Sequence, residues 1–172
     1  MRRVFIPALF VLAVTLLVHP ANALAGPAWR SWDDGLREAG TSGRLVLVDV
    51  YTDWCGWCRR MDQDVYARAD VQQYLARKFV MVKLDAESGA TAHYEGRTYT
   101  SRTLAARFGA TSFPTTMFLN ANGVQIGTVP GYWSPKDFLL LLRFVGDGHA
   151  ARGEKFEDFK NAANAGRARA RH

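Results

Sequence analysis

Two apolar runs in the chain have the length and composition of buried β-strands. They read L-V-L-V-D-V-Y at 45–51 and F-V-M-V-K-L-D at 79–85. Nearly continuous apolar and β-branched runs are typical of strands covered on both faces. The segment between them carries apolar residues at helical spacing and no proline, or glycine after Gly56, so it predicts one long or broken helix over 56–77. The pattern indicates a strand, helix, strand unit.

The rest of the pattern predicts further helices and hairpins around this unit. They are a helix at 29–39 with Ser31 as N-cap and a stop at 40–43, a loop or small hairpin centred on Gly96, a helix at 101–108 capped by Ser101 and ended by Gly109, a hairpin around 120–123, and a helix that Ser134 caps before Pro135. A parallel pair first and a hairpin last, between helices, indicate a mixed three-layer α/β sandwich.

Residues 1–25 have the pattern of a secretory signal peptide. Two arginines precede an apolar stretch at 4–18, and A-L-A at 23–25 fits the small-x-small cleavage pattern. The apolar stretch falls short of the ~20 residues that cross a bilayer comfortably, so an uncleaved anchor is the weaker interpretation. We therefore expect a mature chain that begins at Gly26 in the periplasm.

The charge of the chain is concentrated at its C-terminal end. The 172 residues include 22 basic and 16 acidic residues, a formal net charge of +6. Residues 26–151 are near neutral, with 14 basic and 13 acidic residues, whereas 152–172 hold six basic and three acidic residues. We expect one domain over 26–148, and a solvated, frayed basic tail over 149–172 rather than a segment that binds nucleic acid or lipid.

Both cysteines, Cys55 and Cys58, lie in the stretch Y-T-D-W-C-G-W-C-R-R at 51–60. A structural disulfide stabilises a fold most when it closes a long loop. A disulfide between these two cysteines closes a very short loop and would therefore stabilise the fold little. Cys55 lies where a strand leads into a helix, and the free N–H groups and dipole of a helix start stabilise a thiolate. The pattern predicts that an exposed Cys55 attacks a partner's disulfide and that a buried Cys58 resolves the mixed disulfide.

Metal binding through the same thiols is an alternative. After the signal peptide the chain has His93, His149 and His172, and none has loop or helical spacing to the cysteines. Monovalent copper is the ion that would suit the pair best, because it accepts two thiolates. We expect neither a resident metal nor a cofactor.

Residues 31–145 resemble the thioredoxin superfamily. L-V-L-V-D-V-Y-T-D-W-C-G-W-C is similar to the family's strand and active-site motif, and S-F-P-T-T-M-F-L-N-A-N-G-V is similar to its cis-proline strand and hairpin. A C-x-x-C motif after a buried strand, with a matching F-P-T later in the chain, is a specific combination. The resemblance implies an α/β protein with a thioredoxin-like three-layer α/β/α sandwich and a mixed central sheet.

The resemblance also implies roles for residues beneath the cysteines. Asp49 matches the family's buried carboxylate, which accepts and returns the proton of the inner cysteine, and Lys83 matches the lysine that partners it. A buried carboxyl has a raised pKa that suits proton transfer, so physical chemistry supports the same role.

Four further residues are implied as the substrate-binding surface. Trp54 matches the indole that flanks the reactive sulfur. Pro114 matches the cis-proline, and the backbone beside it at Phe113 holds a bound peptide as an added strand. Trp57 stands where the family usually has proline.

The tryptophan at position 57 and the long connection from Lys83 to Pro114 make the chain look more like exported bacterial thioredoxin-like proteins, including those associated with sulfur-oxidation systems. The resemblance implies a periplasmic thiol-disulfide oxidoreductase, and we expect a disulfide reductase. We also expect thiol- or disulfide-containing protein partners, a membrane electron donor, no nucleic acid and a monomer. The alternatives are a disulfide oxidase or isomerase, because the residues between the cysteines tune the potential, and a copper or sulfur-compound carrier.

Overall fold

A computed structural model describes residues 28–169, and the predicted signal peptide lies outside the described residues. The described segment contains helices and strands in alternation. In chain order they are α1 (Trp32–Ser42), β1 (Leu45–Tyr51), α2 (Gly56–Met61), a π-helical turn (Asp62–Tyr66), α3 (Ala69–Lys78), β2 (Phe79–Asp85), β3 (Thr91–Tyr94), β4 (Arg97–Thr100), α4 (Ser101–Arg107), β5 (Thr115–Leu119), β6 (Gln125–Pro130), α5 (Pro135–Gly146), a 3-10 turn (Ala150–Arg152) and α6 (Phe156–Arg169). None of the helices within 28–169 is both long and apolar enough to span a bilayer.

The central sheet is mixed and has the strand order β2-β1-β5-β6. Strand β1 pairs with β2 in parallel and with β5 antiparallel, and β6 completes an antiparallel hairpin with β5. The two apolar runs form β1 and β2 with the predicted bounds, because strands covered on both faces need apolar residues at nearly every position.

Two apolar cores lie on opposite faces of this sheet. Val46, Val48 and Val50 of β1 point into a core shared with α1 and α4, whereas Leu47 points into the core shared with α3 and α5. Alternate residues of a strand face opposite sides, so β1 contributes to both cores. The predicted three-layer α/β/α sandwich is confirmed.

The helical segment after the cysteines is broken into α2, the π-helical turn and α3. The Ala67 N–H donates to the Asp62 carbonyl at 3.0 Å, five residues back, which is the wider spacing of a π turn. The extra residue changes the direction in which the side chains of this turn project. Tyr66, at the end of this turn, is fully buried, and its ring centre lies 6.0 Å from Lys83 Nζ.

Most of the predicted caps are confirmed. The Ser31 and Ser134 hydroxyls accept the N–H groups of Asp34 and Asp137, as the N-caps of α1 and α5. The cap predicted for α4 is wrong by one residue, because the side chain of Thr100 accepts the Thr103 N–H in a capping box, while Ser101 is the first helical residue. Helix α1 also runs beyond its predicted end to Ser42, and the left-handed Gly43 (φ 70°) ends it.

The C-terminal segment is more ordered than the frayed tail that its charge predicted. Helix α6 packs its aromatic side chains on α5, with Phe156 and Phe159 at 5.4 and 5.6 Å from Phe144 between ring centroids. Phe156 also lies 5.8 Å from the ring of Trp133. Aromatic residues three positions apart share one face of a helix, and counting charges overlooks this stripe.

Candidate active site

Cys55 and Cys58 form a disulfide where β1 leads into α2. The turn 52–54 separates Cys55 from the end of β1, and the Cys55 N–H donates to the Thr52 carbonyl at 3.1 Å. Cys55 is the N-cap of α2, and its sulfur accepts the Cys58 N–H at 3.1 Å. The first sulfur therefore lies where the unpaired N–H groups of a helix stabilise negative charge, as the sequence predicted.

The prediction of an exposed Cys55 concerns the reduced thiol, whereas the structure holds the oxidised pair. In this oxidised form the exposed fraction of Cys55 is 4%, close to the 2% of Cys58. The Cys55 sulfur is bonded to Cys58 and accepts the N–H of the same residue, so it points toward the start of the helix rather than outward. Attack on the disulfide thus requires the approach of a partner between the side chains that surround it.

A lysine between two carboxylates lies below the helix start. Asp49 and Lys83 are register partners on β1 and β2, and Lys83 Nζ donates to Asp49 Oδ2 at 2.6 Å. The same nitrogen donates to both oxygens of Asp62, at 2.8 and 3.0 Å. It also lies 4.7 Å from the centre of the Trp29 ring and 4.8 Å from that of Tyr51, which hold the ammonium by cation–π contacts.

The two carboxylates differ in burial, and this sets their electrostatics. Asp49 is fully buried, and desolvation raises its pKa from 3.8 to about 6 against the opposing charge and hydrogen bond of Lys83. Burial alone would lower the pKa of Lys83, but the charges and hydrogen bonds of Asp49 and Asp62 outweigh it, and the net pKa is raised. Lys83 therefore stays charged when Asp49 takes up a proton, because the half-exposed Asp62 still pairs with it.

Two exposed tryptophans flank the disulfide. Trp54 is 65% exposed and Trp57 57% exposed, which is unusual for such large apolar side chains. The Trp54 indole N–H donates to Glu87 Oε1 at 3.0 Å, and the Trp57 ring lies 5.4 Å from the ring of Tyr132 and 5.9 Å from the guanidinium of Arg60. These contacts hold the rings in place while more than half of each side chain stays exposed to a partner.

The loop before β5 brings a second backbone segment to this surface. The Phe113–Pro114 peptide bond is cis, as predicted, and the Phe113 ring meets Trp54 edge-to-face at 6.2 Å. Within residues 28–169, neither the N–H nor the carbonyl of Phe113 bonds to another backbone group. The backbone at Phe113 is thus free to pair with an extended peptide.

Asp62 and Tyr132 are among the residues of this region that sequence reasoning missed. Asp62 lies four residues after Cys58 and therefore on the same helix face, a spacing that could have identified it. No sequence spacing identifies Tyr132, because its contact with Trp57 depends on the path of the chain between β6 and α5.

Comparisons with known proteins agree with the fold. A family model described as thioredoxin-like domain matches residues 32–146. The thiol:disulfide interchange protein DsbD of Ralstonia nicotianae is 31% identical over 112 residues, which cover 64% of this chain and 17% of that protein. The chain spans between 14% and 24% of the lengths of the first curated relatives it matches.

Solved structures show the same likeness. A thioredoxin from Thermus thermophilus is 26% identical, with a TM-score of 0.59 over 73% of this chain and 92% of that chain. A thioredoxin-fold protein from Helicobacter pylori has a TM-score of 0.63 over 72% of this chain and 82% of that chain, and at 20% identity it supports the fold alone.

Proposed function

Because the chain belongs to the thioredoxin-like family, we propose that it is a thiol-disulfide oxidoreductase that works as a periplasmic disulfide reductase through Cys55 and Cys58. The observation that carries this proposal is the disulfide at the N-cap of α2, above a buried carboxyl whose pKa is raised to about 6. A sulfur that is stabilised as a thiolate and a neighbouring group that titrates near neutrality are what thiol-disulfide exchange requires.

The reaction starts from the reduced protein. The Cys55 thiolate attacks one sulfur of a partner's disulfide, a bond forms between the two sulfurs, and the partner's other sulfur leaves as a thiolate. Cys58 then loses its proton to Asp49 and attacks the Cys55 sulfur, which releases the partner's second thiolate. Two electrons pass to the partner, the disulfide of this chain re-forms, and Lys83 stays charged beside Asp49 throughout.

The surface around the disulfide supports a protein or peptide partner over a small cargo. The backbone at Phe113 offers a free N–H and carbonyl for strand-like pairing, and Trp54 and Trp57 offer exposed apolar faces on either side of the sulfurs. A copper or sulfur-compound carrier would use the thiols alone and would not need this platform.

The N-terminal sequence supports the proposed location and electron source. Its arginines and short apolar stretch favour export, and an exported reductase has no cytosolic reductase within reach. We therefore propose a membrane protein as the electron donor. The proposed working form is a monomer.

Reduction of insulin by dithiothreitol tests the activity. We expect the mature chain to accelerate precipitation of the insulin B chain, and a variant with both Cys55 and Cys58 changed to serine to leave the uncatalysed rate. If the native chain is no faster than the double variant, the proposed function is wrong. If the oxidised chain oxidises a dithiol peptide faster than the reduced chain reduces its disulfide, the direction is wrong and an oxidase takes its place.

A further inference from the structure

Helix α6 is connected to the surface beside the disulfide by a short loop. The helix spans Phe156–Arg169 and follows the residues 32–146 that match the thioredoxin-like family model. The loop consists of residues 131–134 and joins β6 to α5, and we call it the β6–α5 loop. Its side chains contact Trp57 on one side and α6 on the other.

Both ends of the β6–α5 loop are anchored. Gly131 has φ 82°, in the left-handed region that favours glycine, and its N–H donates to the Pro114 carbonyl at 2.8 Å. Ser134 is the N-cap of α5, and its hydroxyl accepts an N–H of the first helical turn at 3.2 Å. Only Tyr132 and Trp133 lie between these anchors. The backbone therefore has little room to move one of the two without the other.

The two residues between the anchors pack against different partners. The Tyr132 ring lies 5.4 Å from the Trp57 ring, at an interplanar angle of 44°. The Trp133 ring lies 5.8 Å from the ring of Phe156 in α6, in an edge-to-face arrangement at 66°. Aromatic pairs have preferred geometries, so each contact restrains the orientation of a ring as well as its distance. The β6–α5 loop thus connects α6 with the tryptophan beside the disulfide.

Phe156 packs against the core as well as against the loop. Its ring lies 5.4 Å from the ring of Phe144 in α5, again edge-to-face, and Phe144 is 8% exposed. Phe159, one turn further along α6, lies 5.6 Å from the same ring and 4.5 Å from that of His149. These contacts hold α6 on α5, so Phe156 gives Trp133 a fixed support.

We propose that α6 orients Trp57 for the binding of a partner. Phe156 fixes Trp133, and the β6–α5 loop passes this constraint to Tyr132. Tyr132 in turn holds the Trp57 ring in the orientation that a partner meets. A side chain that is 57% exposed otherwise has several rotamers open to it, and fixing one before binding lowers the entropy that the partner must offset.

This proposal deepens the proposed function and rests on it. Phe156, Trp133 and Tyr132 are positioning residues, because they act on the partner through Trp57. The contacts that carry the proposal lie between side chains of α6, the β6–α5 loop and α2, and none of them involves a sulfur. We therefore expect changes in α6 to affect partner binding and to leave the sulfur chemistry unchanged.

Fluorine NMR of the full chain labelled with 5-fluorotryptophan tests the orientation of Trp57, whose resonance is assigned with Trp57→Phe. We expect Phe156→Ala to shift or broaden this resonance, because the Trp57 ring loses its fixed orientation. Phe156→Tyr keeps the aromatic ring and should leave the resonance unchanged. The matched control for lost stability is Leu104→Ala, which truncates a fully buried side chain on the opposite face of the sheet and should also leave it unchanged.

Steady-state reduction of a disulfide peptide gives the functional readout. Phe156→Ala should raise KM about threefold with kcat unchanged, a smaller effect than the loss of the Trp57 ring itself. In a Trp57→Ala background, Phe156→Ala should raise KM no further, because the side chain through which α6 acts is gone. Phe156→Tyr and Leu104→Ala should both keep the wild-type KM.

An unmoved Trp57 resonance or a wild-type KM in Phe156→Ala overturns the proposal. The same shift in Leu104→Ala, or an equal rise of KM in the wild-type and Trp57→Ala backgrounds, also overturns it. If Phe156→Ala does not fold, Trp133→Leu removes the same contact from the side of the loop and takes its place. The fluorine spectrum needs no turnover. A chain that fails the insulin assay while the resonance shifts would therefore refute the proposed function and leave the support of Trp57 by α6 in place.

Discussion

Replacing Asp49 with asparagine should stabilise the oxidised protein at neutral pH, by an amount that grows as the pH rises. Asp49 is fully buried, and the only hydrogen bond of its side chain within residues 28–169 is the one from Lys83. Asparagine has nearly the same shape as the protonated carboxyl but carries no charge. Lys83 keeps its hydrogen bonds to Asp62 in the variant, so no ammonium is left unpaired.

The size of the effect follows from the pKa of Asp49. The value is about 6 in the folded chain against 3.8 for the ordinary group, and this folded value already includes the attraction of Lys83. Between pH 3.8 and about pH 6, Asp49 therefore holds a proton in the folded state that it has lost in the unfolded chain. Wild-type stability is fully present below the unfolded pKa and falls as the pH rises through the folded one, by about 3 kcal/mol in total. The advantage of Asp49→Asn should grow from about 1 kcal/mol near pH 4.5 to about 3 kcal/mol near pH 7.5.

Urea unfolding of both proteins, followed by tryptophan fluorescence at several pH values, measures this difference. Comparing the two chains at each pH cancels the titration of every other carboxylate. Asp64→Asn is the matched control, since Asp64 is half-exposed and pairs only with Arg60 among the described residues; its effect should stay below about 1 kcal/mol at all pH values. A free-energy difference between Asp49→Asn and wild type that is flat across this range, or a less stable variant at pH 7.5, would refute the reasoning.

Three further predictions concern the sulfurs, the surface beside them and the lysine. Cys58→Ser should trap partners as mixed disulfides, whereas Cys55→Ser should trap almost none, as counted on non-reducing gels of the cell envelope; equal trapping by both would contradict the order of attack. Trp57→Ala should raise the KM for a disulfide peptide by about tenfold with little change in kcat, because the peptide loses an exposed aromatic face. Val124→Ala, which truncates a side chain that is 59% exposed in the β5–β6 turn, is the control and should leave KM unchanged. Lys83→Met should raise the pKa of Asp49 above about 6, as read by carbon NMR. An unchanged pKa would show that the ion pair with Lys83 does not act on Asp49.

The elements that the sequence predicted well are those with a strong local pattern. Strands β1 and β2 stand out because both faces are buried, and their register places Asp49 beside Lys83, a pairing that the family resemblance implied. The cis bond before Pro114 was implied by the family resemblance rather than by any local physical signal.

The residues that sequence reasoning missed depend on geometry that a regular period cannot reveal. The π-helical turn shifts the register of the helix by one residue, so the direction of Tyr66 does not follow from a 3.6-residue repeat. The contact of Trp57 with Tyr132 joins segments far apart in the chain. Helix α6 was missed because the basic residues of the segment outweighed the two phenylalanines that dock it on α5.

The reduction potential of the Cys55–Cys58 couple tests the central claim most directly. It is measured by equilibrating the mature chain with glutathione mixtures and counting free thiols. Across related proteins the potential spans from roughly −270 mV for reductases to roughly −120 mV for strong oxidants. If the chain is a reductase, we expect a two-electron couple with a potential of about −270 mV. A value near −120 mV, or no exchange with glutathione at all, would contradict the account.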